Sequence, residues 1–144
     1  MLSSILGEAL VSKGNLEKCG KLTIAEQNPI IITGTVRSNI LFGSPYDKEW
    51  YDKVISACRL TQDFKQFPKS DLTETGEMGV TLSGGQKSRV SLARALYKKE
   101  ASIMLIDGTL SSLDARVASQ ILDEIKHGEM FREKIVIMVT YDLD

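Results

Sequence analysis

Cysteine, proline and histidine are scarce in this sequence: its 144 residues include 2 cysteines, 3 prolines and 1 histidine. Cys19 and Cys58 are too few and too isolated to form a disulfide framework or a cysteine-based metal site. We therefore expect a reducing, cytosolic environment in which neither thiol carries a function. Long apolar runs are also absent, since none approaches the roughly 20 residues of a membrane-spanning helix. The first residues lack the charged and apolar regions of a signal peptide.

An excess of charge of one sign is missing as well. The chain has 18 lysines and arginines against 19 aspartates and glutamates, and its formal net charge is -1. This balance provides neither the basic surface that attracts nucleic acid nor a polybasic patch for a membrane surface, so we expect no nucleic-acid partner. A hydrophobic content of 42% and a charged content of 26% are typical of a folded globular domain and argue against disorder.

Apolar periodicity predicts alternating helices and strands, most clearly in the second half of the chain. Helical spacing occurs at residues 2–10, 35–41, 47–60, 83–98 and 114–127, and strand-like runs occur at 21–25, 102–107 and 134–140. The last two runs are apolar almost throughout, which is typical of strands that are buried on both faces. Because a helix lies between them, they are predicted to be parallel strands of an α/β fold.

The most informative motif is Leu-Ser-Gly-Gly-Gln at residues 82–86, where a helix begins. Ser83 can cap this helix, and the pair Gly84 and Gly85 lets the backbone approach a ligand closely. The free N–H groups of a helix N-terminus attract anions, so phosphate binding is a physical expectation here. The alternative is an ordinary capped helix after a glycine turn. Gln86 and an acidic strand end further along the chain favour the phosphate site.

Three further polar residues stand where nucleotide chemistry would use them. Asp107 ends an apolar strand, and the carboxyl end of a buried parallel strand is a common place for a ligand of Mg²⁺-nucleotide; a turn cap is the alternative. Asp114 follows Ser-Ser-Leu and, taken alone, is a helix N-cap. Gln27 lies between a strand and Pro29, where its amide can ligate Mg²⁺ or orient water.

Over essentially its whole length, the chain resembles the first nucleotide-binding domain of a subfamily C (multidrug-resistance-associated) ABC transporter. The resemblance is carried by residues 5–8, 35–43, 71–77 and 82–86 and by the strand that ends at Asp107. It implies an α/β architecture, namely a partial P-loop NTPase fold of the ABC type. In that fold, parallel core strands are joined to an α-helical signature subdomain.

The same resemblance implies an organisation and a set of residue roles. About residues 28–98 would form the helical signature subdomain, and residues 99–144 would form the Walker B, D-loop and switch region of the core. Gln27 matches the Q-loop and Asp107 the Walker B aspartate, and these two would hold Mg²⁺. ATP and Mg²⁺ are the implied cofactors. The implied nucleotide-binding residues are Gln27, Ser83, Gly84, Gly85, Gln86, Asp107 and Asp114.

Three departures from the family pattern concern catalysis. The phosphate loop Gly-x-x-x-x-Gly-Lys-Ser/Thr, called Walker A, does not occur in the sequence, so we expect weak or no ATP binding by this chain alone. Gly108 stands where hydrolytic members carry a glutamate, and Tyr141 stands at the position of the switch histidine. Neither residue can act as the positioned base or imidazole that it replaces. The chain alone is therefore expected to be inactive, with no intact catalytic residue.

In this family two cassettes enclose ATP head to tail, which implies a second nucleotide-binding domain and the transporter's transmembrane domains as partners. The chain would then lie at the cytosolic face of a membrane and help to couple ATP binding and hydrolysis to transport. Three alternatives remain open at this point: a working ATPase whose longer chain supplies the phosphate loop, a non-functional remnant of a truncated gene, and a DNA-repair or chromosome-structure ABC ATPase. The last would need long heptad-bearing helices, which the sequence does not contain.

Overall fold

The computed structural model describes residues 2–8, 12–15, 17 and 19–139, which form a parallel sheet packed against helices. In chain order the main elements are α1 (Leu2–Leu6), β1 (Lys21–Ala25), α2 (Val36–Leu41), α3 (Lys48–Ala57), α4 (Thr61–Gln66), α5 (Gly84–Tyr97), β2 (Ala101–Asp107), α6 (Ala115–His127) and β3 (Ile135–Val139). Short 3-10 turns lie at Ser70–Leu72, Glu77–Gly79, Thr109–Ser112 and Glu129–Phe131.

The sheet has the order β1-β2-β3, and both neighbouring pairs are parallel. Since α6 connects β2 to β3, the predicted crossover between parallel strands is confirmed. The prediction that both late strands are fully buried is correct for β2, where Met104 and Ile106 are completely buried, but wrong for β3. Ile135 is 62% exposed, because β3 is an edge strand of the described sheet and only β2 pairs with it.

The helical part of the molecule is organised around α5, which is buried on most of its circumference. Val90, Leu92 and Leu96 of α5 are buried together with Val36 and Val54 in one apolar core. A helix buried almost all round must be apolar or small on every face, and the small residues of α5 satisfy this condition. This central position lets one helix contact the sheet, α2 and α3 at once.

The predicted helix at 47–60 is α3 in the structure, but it ends before residue 60 and a break separates it from α4. Asp47 caps α3 by accepting a hydrogen bond from the Trp50 amide, as the sequence predicts, but α3 ends at Ala57. The break occurs because Arg59 adopts a left-handed conformation with φ +56°, which a continuing α-helix does not allow. The separate α4 then begins at Thr61.

The N-terminal helix predicted at residues 2–10 is shorter than expected. In the structure α1 ends at Leu6, and Gly7 follows it with φ +87°. A left-handed glycine is a common way to terminate a helix. Residues 9 and 10, the end of this predicted helix, and Tyr141, the residue at the predicted switch position, lie outside the described residues.

The buried hydroxyl of Thr109 connects the ends of two strands, because its Oγ1 donates to the Ala25 carbonyl oxygen over 2.9 Å. We expect Thr109→Val, which keeps the shape but removes the donor, to lower the free energy of unfolding by about 1–3 kcal/mol. Denaturant unfolding measures this change. The control is Ser119→Ala, which removes an exposed hydroxyl from α6 and is expected to cost within about 0.5 kcal/mol. Equal losses for both variants would contradict this role of Thr109.

Candidate functional site

The N-terminus of α5 is held by a reciprocal pair of hydrogen bonds. The backbone N–H of Gln86 donates to Ser83 Oγ over 3.3 Å, and the backbone N–H of Ser83 donates to the side-chain Oε1 of Gln86 over 2.9 Å. This capping box satisfies two of the N–H groups that a helix start leaves free and fixes the direction of the first turn. The prediction that Ser83 caps this helix is confirmed.

Gly84, the first residue of α5, borders open space. A methyl group built on its Cα would meet no heavy atom of the chain within 4 Å, and the residue is exposed. Nothing inside the chain therefore requires glycine at this position. A bare backbone at a helix N-terminus fits an anion that approaches closely from outside.

Gly85 differs from Gly84 because it faces another part of the chain. A Cβ on Gly85 would lie 3.4 Å from the Ser112 carbonyl oxygen, in the turn that follows β2. Side chains join the same two elements, since Ser112 Oγ lies 2.6 Å from Ser88 Oγ of α5. The start of α5 and the turn after β2 are therefore packed against each other.

The side chain of Gln86 is occupied within the chain. Besides accepting from Ser83, it donates from Nε2 to Asp63 Oδ1 over 3.1 Å. Asp63 also accepts from Arg89 Nη2, at 2.8 Å to Oδ1 and 2.7 Å to Oδ2. The geometry thus gives Gln86 a part in shaping the helix start. Asp63 carries no signal in the sequence, because an acidic residue early in a helix fits an exposed surface equally well.

Gln27 packs beside the end of β2. A Cβ at Gly108 would lie 3.3 Å from both Cγ and Cδ of Gln27, and Gly108 directly follows Asp107. The Gly108 amide donates to the Val139 carbonyl oxygen over 3.1 Å, which joins this point to the end of β3. Gln27 and Asp107 are the two residues that the sequence predicts as Mg²⁺ ligands. The structure places the side chain of Gln27 beside the strand end that carries Asp107.

The donors at this strand end fit Mg²⁺ as it binds in nucleotide complexes. Mg²⁺ usually takes one or two protein carboxylates and fills its other positions with water and phosphate oxygens. Asp107 supplies one half-buried carboxylate, with the Gln27 amide adjacent to the next residue. Within the described ranges, no cluster of three or more His, Cys, Asp or Glu could form an all-protein metal site.

A groove of about 510 Å³ lies between Gln27 and the start of α5. Gln27, Gly84, Lys87, Ser88 and Ser112 line it together with an apolar wall formed mainly by Ile30, Ile31 and Met78. Two of the sequence-predicted positions, Gln27 and Gly84, therefore share one surface. Asp114 has a different place: its Oδ1 accepts from the Val117 amide over 3.0 Å and caps α6, and it does not line the groove.

Gly108 and Gly84 give a matched pair of glycine substitutions. Gly108 has φ +55°, a left-handed conformation, and faces Gln27, whereas Gly84 is helical and faces open space. We expect Gly108→Ala to lower the free energy of unfolding by about 1–2 kcal/mol, since L-residues pay this much in left-handed conformations. Gly84→Ala should leave it unchanged or raise it slightly. Denaturant unfolding compares the two variants, and equal effects would contradict the strain assigned to position 108.

Comparisons with known proteins agree with this arrangement. The ABC transporter family matches residues 5–111 of the chain. ABC transporter C family member 7 of Arabidopsis thaliana is 46% identical over 144 residues, which are 100% of this chain and 10% of that protein. ATP-binding cassette sub-family C member 4 of Homo sapiens is 48% identical over 143 residues, which are 99% of this chain and 11% of that protein. The vacuolar heme ABC transmembrane exporter abc3 of Schizosaccharomyces pombe is 43% identical over 145 residues, 100% of this chain and 10% of that protein.

The chain therefore belongs to the ABC transporter family, as part of an ATP-binding domain of the subfamily C type. This confirms the resemblance and the partial α/β P-loop NTPase fold inferred from the sequence. The chain spans about a tenth of the length of the curated relatives that it matches. Among the described residues, no helix combines the length and the apolar character that crossing a bilayer would require.

Proposed function

We propose that this chain supplies the signature side of an ATP site whose phosphate-binding loop belongs to a second nucleotide-binding domain. The observation that carries the proposal is the open side of Gly84 at the capped start of α5. In this proposal a phosphate approaches Ser83 and the backbone of Gly84 and Gly85, and the capping box fixes the first turn. In this role the chain would help to couple ATP binding and hydrolysis to transport across a membrane.

The protein's own contribution to such a site is binding and orientation. The N-terminal N–H groups of α5 and the positive end of its dipole favour the negative charge of a terminal phosphate. Mg²⁺-ATP supplies the scissile phosphate and its leaving group. Lys87, one turn further along, donates from Nζ to the Met78 carbonyl oxygen over 3.0 Å, so this cation holds the preceding loop against α5.

The site built around this chain's own strand end is proposed to be degenerate. Asp107 and Gln27 would hold Mg²⁺, but Gly108 offers no carboxylate to polarise water, and Tyr141 replaces the switch histidine. The loss of a positioned general base lowers a rate by about 10²–10⁴. We therefore assign slow or no hydrolysis to this site, and we assign to this chain a clamping role at the opposite site.

Exposed apolar side chains near the groove support the proposal that another part of the transporter binds this surface. Ile30 is 66% exposed, Met78 83% and Val80 76%, and all three lie in the segments that precede α5 in the chain. Apolar side chains this exposed are typical of a surface that is covered in an assembly. We propose that the transmembrane domains of the transporter cover them, which would place the chain at the cytosolic face of the membrane.

Association with a second cassette tests this function. The full chain would be titrated against a fluorescently labelled subfamily C nucleotide-binding domain that carries an intact phosphate loop, and anisotropy would be recorded with a non-hydrolysable ATP analogue or with ADP, each with Mg²⁺. We expect association with the ATP analogue and none with ADP. Association that is equal with both nucleotides, or absent with both, would overturn the proposal.

A further inference from the structure

We propose that Asp63 is a positioning residue for the signature side of this ATP site, acting through Gln86 and Arg89. The inference rests on the proposed function, because it concerns how the start of α5 is oriented toward a phosphate. Asp63 belongs to α4, and no motif in the sequence points to it. Its side chain is 10% exposed, and that of Arg89 is 12% exposed, so water has little access to the pair.

The geometry makes Asp63 a common acceptor for two side chains on the first turns of α5. Arg89 Nη2 donates to both of its carboxylate oxygens, at 2.8 Å and 2.7 Å, and Gln86 Nε2 donates to Oδ1 at 3.1 Å. Charge-assisted hydrogen bonds of this length are stronger and more directional than neutral ones. Asp63 therefore fixes the side chains of Gln86 and Arg89 together.

Through the side chain of Gln86, Asp63 also orients the backbone that would face the phosphate. With Nε2 held by Asp63, Oε1 of the same amide points to the Ser83 N–H and accepts from it over 2.9 Å. Rotation of the amide about its terminal bond would break both contacts at once. Asp63 thus selects the amide orientation that completes the capping box, and the capping box sets the direction of the Gly84 backbone.

Arg89 reinforces the same arrangement from the same face of α5, three residues after Gln86. Its Nε is buried and has no hydrogen-bond partner, which leaves the Asp63 carboxylate as the contact that compensates the buried guanidinium. Its Nη1 lies 3.8 Å from where a Cβ on Gly85 would stand. A shift of Arg89 would therefore move a cation that lies close to the second glycine of the motif and would change the local field at the helix start.

The chain contains a matched control for this contact. The side chain of Asp71 is 11% exposed, close to the 10% of Asp63, and it is also paired with an arginine, because Arg37 Nε and Nη2 donate to its two carboxylate oxygens over 2.7 Å and 3.0 Å. That pair joins α2 to the turn at Ser70–Leu72, and its hydrogen bonds run between Arg37 and Asp71. Asp63→Asn and Asp71→Asn therefore each remove one carboxylate charge from an arginine pair. The first pair includes a residue of α5, and the second pair includes a residue of α2.

The test has two arms, both with the full chain. Amide hydrogen exchange of the chain alone should accelerate about tenfold at Gln86 and Lys87 in Asp63→Asn, since local opening becomes easier, and should not change there in Asp71→Asn. Association with the ATP-loaded second cassette should weaken about tenfold in Asp63→Asn, or one decade in Kd, and by less than about twofold in Asp71→Asn. Thermal midpoints should fall in both variants, and further in Asp63→Asn, because Arg89 is 12% exposed and Arg37 is 32% exposed.

Unchanged exchange at Gln86 and Lys87 in Asp63→Asn would overturn the inference, and so would equal weakening of association by both variants. If exchange responds as expected but the wild-type chain does not associate with the cassette, the positioning contact stands and the proposed function falls. Should Asp63→Asn fail to fold, Arg89→Gln removes the cation from the same contact. It is expected to accelerate exchange at Gln86 and Lys87, and no acceleration would count against the contact.

Discussion

Replacement of Gly84 by aspartate is expected to weaken ATP-dependent association with a second cassette by at least about 100-fold. A unit charge about 4 Å from a phosphate charge costs on the order of 4 kcal/mol at an effective dielectric constant of 20. The substitution should leave folding intact, because the residue borders open space and an acidic residue in the first turn of a helix stabilises it by about 0.3–1 kcal/mol. Anisotropy titrations and thermal unfolding measure the two effects separately.

Gly84→Asn serves as the control for this prediction because asparagine has nearly the same shape as aspartate and no charge. It blocks the close approach of a ligand without repelling it, so we expect association to weaken by about tenfold, or about 1.4 kcal/mol. A stepwise loss from glycine to asparagine to aspartate would separate steric from electrostatic effects. If Gly84→Asp associates as well as wild type while folding normally, the phosphate does not approach this helix start.

Ile106→Ala is expected to lower the free energy of unfolding by about 2–5 kcal/mol, the usual cost of deleting a large aliphatic side chain from a core. Ile106 is completely buried in the central strand, on the sheet face that packs against the main apolar core. Ile135→Ala removes the same atoms from the edge strand, where the side chain is 62% exposed, and should cost within about 0.5 kcal/mol. Denaturant unfolding compares the variants, and similar losses would contradict the central position of β2.

These two isoleucines also show how far the sequence predicts the fold. Apolar runs identify β2 and β3 as strands, and the intervening helix predicts that they are parallel. The exposure of Ile135 is not visible in the run itself, because it depends on the order of strands in the sheet. The break between α3 and α4 is equally hidden, since the left-handed residue is Arg59 and neither glycine nor proline marks it.

In the candidate site, too, the sequence predicts the local contacts but not the contacts between residues that are far apart in the chain. The Ser83 cap is predictable because serine followed by glutamine three residues later is a local helix-start signal. The contact between Gln27 and Gly108 joins distant parts of the chain, and only the family resemblance suggested that they belong to one site. Asp63 was missed because its partners lie far away in sequence and its role depends on tertiary packing.

The most direct test of the central claim is a disulfide crosslink across the composite ATP site. Cys19 is exposed and would be replaced by serine, whereas Cys58 can stay because burial raises the pKa of its thiol and keeps it unreactive. In this background Ser83→Cys would be oxidised together with a second cassette that carries a cysteine in its phosphate loop. We predict a crosslink that forms with ATP and not with ADP or without nucleotide. No crosslink with ATP, with both thiols still reactive toward maleimide, would contradict the assignment of Ser83 and Gly84 to the partner's nucleotide.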